Sequence, residues 1–110
     1  MSGAEGATSE HIEELLSAPT SGAAAPTLAR IEATLTDGYA QALALEAERW
    51  RLERRIGEVA REVEPPNAAG FAEEIAALAK RLNRADGELE RLRELLGTLH
   101  ARARATRRSS

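Results

Sequence analysis

The chain has 110 residues, of which 43% are hydrophobic, 30% charged and only 3% aromatic; it has no cysteine and a formal net charge of −3. The missing cysteines exclude disulfides, thiolate zinc sites and thiol nucleophiles. The acidic balance argues against a general nucleic-acid binder, and one Trp, one Tyr and one Phe supply little of the ring area, about 150–250 Å² each, on which a compact core usually draws.

What remains is Leu, Ala, Ile, Val, Glu and Arg, the composition of long helices and coiled coils, and the length allows one domain. No apolar run approaches the roughly 20 residues that cross a bilayer. The first ten residues are acidic and lack an apolar centre, so they do not read as a secretory signal, and a cytoplasmic protein is expected. Lys80 is the only lysine among fifteen basic residues, a bias that suggests a GC-rich, bacterial genome.

Residues 1–26 read as a flexible N-terminal tail. The small, polar residues 1–8 bury too little surface to offset ordering entropy and are expected to be disordered. Ser9 offers an N-cap to a short amphipathic helix, 10–17, whose Ile12, Leu15 and Leu16 share one face. Two turns are marginal alone, so this candidate docking helix needs the main body or a partner. Residues 18–26, bracketed by Pro19 and Pro26, read as a linker.

Residues 27–105 carry the main pattern. Thr27 is placed to cap a first long helix, 27–64. Its stripe of alternating three and four spacings is Leu28, Ile31, Leu35, Gly38, Ala42, Leu45, Arg49, Leu52, Ile56, Val59 and Val63. Asp37-Gly38 resembles a turn, but the phase runs through it, so a continuous helix weakened by about 1 kcal/mol is expected. Pro65 and Pro66 stop that helix, and the turn is placed at 65–67. A second helix, 68–104, carries Phe71, Ile75, Leu78, Leu82, Ala85, Leu89, Leu92, Leu96, Leu99 and Ala103, all apolar. A 3.5-residue period keeps a stripe on one face only if the helix supercoils against a partner. Residues 106–110 read as a basic C-terminal tail.

The expected fold is therefore all-α: a long antiparallel two-helix coiled-coil hairpin with a short N-terminal helix and disordered tails. If Val63 faces Phe71, every further layer keeps facing numbers that add to 134. Gly38 then meets Leu96, small against large. Arg49 meets Ala85, which leaves room for its stem along the seam while the guanidinium reaches water. The same register sets Glu48 near Glu88 and Arg55 near Arg81, a mild repulsion that either another chain relieves with opposite charges or the side chains escape by splaying into water.

Three surfaces are candidate sites. Tyr39, Leu43 and Trp50 lie outside the seam as a second apolar stripe, the candidate interaction surface for a homo-oligomer, a dimer of hairpins. Ile12, Leu15 and Leu16 form the docking helix. Glu62, Glu64, Glu73 and Glu74 gather near the turn as an acidic tip. That tip resembles, in outline, the coiled-coil arm of bacterial transcript-cleavage factors, which insert an acidic end into RNA polymerase; the resemblance implies a regulator of a larger machine, though no tip motif matches residue by residue. The topology also resembles small secreted helical hairpins with Trp-x-Gly at the turn. Here the turn is Pro65-Pro66-Asn67-Ala68-Ala69-Gly70 and Trp50 lies mid-helix, so that family's mark is missing.

No phosphate loop, dinucleotide fingerprint or nucleophile turn occurs. No Asp or Glu pattern around His11 and His100 makes a metal-ligand pair, and the two sit on different segments. No catalytic residue, cofactor or metal is expected, and the protein is read as no enzyme. Two functions are carried forward: a self-associating scaffold or adaptor for protein–protein interaction, and a regulatory factor acting through the acidic tip or the basic tail.

Overall fold

The computed structural model describes residues 3–109, with side chains from Thr8 onward. It contains helix α1 (Gly3–Ser17), helix α2 (Leu28–Arg61), a single 3₁₀ turn (Pro65–Asn67) and helix α3 (Ala68–Ser109). There is no strand among the described residues, and α2 and α3 form the antiparallel hairpin. Thr27 caps α2: its Oγ1 accepts the N–H of Arg30 at 3.1 Å. Gly38 lies inside α2 without a break. Gly22, in the linker, has φ +87°, a left-handed conformation that a side chain would resist, and its carbonyl accepts the N–H of Ala25 at 3.2 Å.

Three boundaries differ from expectation. α1 reaches back to Gly3, so Ser9 is an interior residue and not its cap. Ala4, Glu5 and Ala7 are good helix formers, and extending a helix that is already nucleated costs little. α3 runs on to Ser109, so residues 105–109 join the helix. Thr106 and Ser109 donate their hydroxyls to the carbonyls of Arg102 and Ala105 at 2.9 and 3.0 Å, and Arg107 and Arg108 sit where a cation complements the helix dipole. The disorder expected at residues 1, 2 and 110 concerns positions outside the described residues.

α2, by contrast, stops at Arg61, before the expected end at 64. Pro65 holds Glu64 in an extended conformation, φ −128° and ψ 150°, as a residue before proline requires. The N–H of Glu62 still reaches the carbonyl of Val59 at 3.0 Å, and Val63 falls beyond the helix, exposed. The first layer drawn from the sequence, Val63 on Phe71, is therefore not a seam layer. Asn67 lies inside the 3₁₀ turn, where its N–H donates to the carbonyl of Glu64 at 2.9 Å.

The chain divides into two compact units, one of Met1–Leu43 with Glu90–Ser110 and one of Ala44–Leu89. The first unit is built from three helical pieces: α1, the start of α2 and the end of α3. Of its seam residues Leu28 is half-buried, and Ile31, Leu35, Gly38, Ala42, Leu92, Leu96, Leu99 and Ala103 are buried, together with Ile12 and Leu15 of α1. The second unit has two helical segments and the 3₁₀ turn. Leu45, Leu52, Val59, Leu78, Ala85 and Leu89 are buried there, but Ile56, Phe71, Ile75 and Leu82 are only half-buried. A two-helix seam has no third element to close its flanks, which is why its outer side chains keep contact with water.

Arg49 occupies a seam position of the second unit. Its Nε lies 2.8 Å from Asp86 Oδ1 and 3.4 Å from Glu53 Oε1, and its side chain is about half exposed. Pairs this open contribute about 0–1 kcal/mol. Arg49→Leu is therefore expected to raise stability by about 1 kcal/mol through added apolar burial, while removing a polar residue that fixes register. A higher urea midpoint together with a broadened sedimentation boundary is the expected pair of results.

Candidate functional site

The first unit holds the docking helix, and the structure shows where it docks. The methyl Cδ1 of Ile12 lies 3.5 Å from the point where a Cβ on Gly38 would stand. Thr34, one turn before Gly38 on the same face of α2, is buried too, with its hydroxyl donating to the carbonyl of Arg30 at 3.0 Å. Glycine at position 38 thus serves two neighbours, Leu96 of the seam and Ile12 of α1. Leu15 is buried and Leu16 half-buried.

Arg102 secures the end of α1. Its Nη1 donates to the carbonyl of Leu16 at 3.0 Å, and its Nη2 to those of Ala18 and Pro19 at 2.8 and 3.1 Å. The last carbonyls of a helix have no partner within it, and α1 carries no basic residue in its last turn. A planar guanidinium brought from α3 meets these acceptors and places a positive charge at the negative end of the helix dipole. Arg91 forms an ion pair with Glu13 of α1. Arg107, read from sequence as part of a free basic tail, lies 3.4 Å from Glu32 of α2.

Sequence reasoning missed Arg91 and Arg102 as partners of α1. A signal existed: the seam-flanking positions Thr34, Gln41 and Leu95 are uncharged, as suits a flank that another helix covers, and an acidic helix with no basic end needs cations from elsewhere.

Of the candidate interaction surface, Tyr39 and Leu43 belong to the first unit, 47% and 67% exposed, and Trp50 to the second, 58% exposed. The guanidinium carbon of Arg54 lies 4.7 Å from the centre of the Trp50 ring, a cation–π contact that holds the indole against its own helix.

In the second unit, residues expected beside like charges hold opposite ones. Arg81 lies 3.9 Å from Glu48, while Arg55 lies 3.0 Å from Glu74 and 3.5 Å from Glu58. These cross-helix pairs have numbers that add to 129, one heptad below the like-charged pairs drawn from the sequence. Their sum also lies five below that of the facing seam layers, so these long side chains reach along the helix pair to an opposite charge rather than straight across it. The hydrogen bond to Glu74, then its charge, raise the Arg55 pKa above its usual value, so the guanidinium stays charged. No second chain is needed to relieve repulsion there. Of the acidic tip, Glu62, Glu64 and Glu73 are exposed and Glu74 is engaged by Arg55.

His11 and His100 are exposed. Among the described residues no group of three or more His, Asp or Glu is placed to hold a metal ion, and no helix is long and apolar enough to cross a membrane. No family model, no curated protein and no solved structure matches this chain.

Proposed function

We propose that this chain is a non-enzymatic helical scaffold or adaptor that self-associates as a dimer of hairpins. One observation supports this reading above the others. Both seams are closed by residues of a single chain, yet α2 leaves Tyr39, Leu43 and Trp50 in water. Tyr and Trp are the side chains most enriched where association energy concentrates, because they bury a large rigid area at small entropic cost. The Arg54 contact holds the Trp50 ring in place before any partner arrives.

The regulatory reading has less behind it, since Glu74 and Arg107, one from the acidic end and one from the basic end, are engaged within the chain. Sedimentation equilibrium tests the scaffold reading. The unmodified chain is expected to associate at micromolar concentration. Leu43→Glu is expected to shift the equilibrium toward monomer at least tenfold, with helix content unchanged, since it places a charge where apolar contact is required. Trp50→Ala is expected to act in the same direction. A monomer at every concentration overturns the proposal.

A further inference from the structure

The α1 contact has the parts of a receptor and a tethered ligand, and we infer that the groove of the first unit is a helix-binding site which α1 occupies in place of a partner. The partner is an acidic amphipathic helix of another protein, with apolar residues at i and i+3, a carboxylate beside the first, and C-terminal carbonyls free to accept hydrogen bonds. Each requirement is read from α1. Ile12 and Leu15 supply the apolar pair, Glu13 meets Arg91, and the carbonyls of Leu16, Ala18 and Pro19 meet Arg102. Charge complementarity sets the partner's sign: residues 1–26 hold four glutamates and no Lys or Arg, while the groove presents two arginines.

The walls of the groove come from α2 and α3. Leu96 and Gly38 meet across the α2–α3 seam, and Arg91 and Arg102 belong to α3. α1 is joined to α2 only through residues 18–27. A flexible linker of that length spans roughly 16–19 Å and presents its ligand at about millimolar effective concentration. A free helix must outcompete that tether, so the site is masked about a hundredfold for a groove of ten-micromolar affinity. Short helices of this kind are unstable when released, so displacement also unfolds the resident segment.

The test uses the full chain and a fluorescent synthetic peptide of residues 3–19. In a chain carrying Ile12→Glu and Leu15→Glu the resident helix cannot dock, and the peptide is expected to bind saturably, at least tenfold more tightly than to the unmodified chain. Adding Arg102→Ala to that chain is expected to weaken the peptide about tenfold or more, since charge-assisted hydrogen bonds are lost. Equal binding to both chains, or no binding to a disabled chain that keeps the helix content of α2 and α3, overturns the inference. An otherwise unmodified chain with a protease site in the exposed stretch 20–24 provides a second measurement. After cleavage, the fragment bearing α1 is expected to leave on dilution and rebind on concentration. A fragment that never leaves, or a first unit that unfolds when it does, counts against the site. Concentration-dependent dimers that Leu43→Glu does not dissociate but that Ile12→Glu abolishes assign the groove to a second copy's α1, and overturn the inferred partner.

Discussion

Leu99→Ala is expected to lower the unfolding free energy by about 2–5 kcal/mol, the range for removing a fully buried leucine and leaving its cavity. Leu99 is completely inaccessible, at a seam position of the unit that α1 completes. The same substitution at Leu82, which repeats the chemistry in the two-helix unit, is expected to cost about half as much. Leu82 already keeps part of its surface in water, so less transfer free energy is lost and the site collapses more easily. Urea unfolding followed by circular dichroism reads both, and at about 4–8 °C per kcal/mol for a chain of this size the two variants should separate clearly in melting temperature. Equal losses at the two positions would contradict the division into a three-helix and a two-helix unit.

That contrast shows which parts of the fold the sequence displays. The stripes are legible because a heptad repeat encodes its own partner: a residue at every seam position forces the facing stripe, and small residues mark close approach, as Gly38 does for Leu96. The turn is legible because Pro65 and Pro66 leave little conformational choice. The placement of α1 is not, since eight amphipathic residues state that a face must be covered without stating by what. The covering surface is distributed over Gly38, Thr34, Arg91 and Arg102, which come together only after the hairpin forms. Helix ends were misplaced for a related reason. Ser9 and Thr106 are residues that either cap a helix or sit within it, and neighbouring structure decides between the two. The flank charges are not legible from seam numbering alone, because long arginine side chains reach along the helix pair to opposite charges, as Arg55 does to Glu74.

Substitutions at Gly38 are expected to separate seam packing from α1 docking. Gly38→Ala gains about 1 kcal/mol of helix propensity. Against that, the new Cβ would stand 2.4 Å from Leu96 Cδ2 and 3.4 Å from its Cγ. The first clash is with a terminal methyl, which can rotate, but Leu96 is itself buried, and such overpacking costs about 1–3 kcal/mol. The expected net result is a loss of at most about 2 kcal/mol, with α1 still docked. Gly38→Leu has no such accommodation, because its further carbons enter the space held by Leu96 and Ile12. α1 is the element that yields, since it is the shorter piece and is joined to α2 only through residues 18–27. Loss of helical signal from about fifteen residues is expected, together with rapid cleavage by a glutamate-specific protease at Glu10, Glu13 and Glu14. Arg102→Ala should give a weaker version of the same cleavage pattern with the seam untouched. If Gly38→Leu leaves α1 as resistant to cleavage as before, Gly38 is not where the two helices meet, and α1 does not mask a groove there.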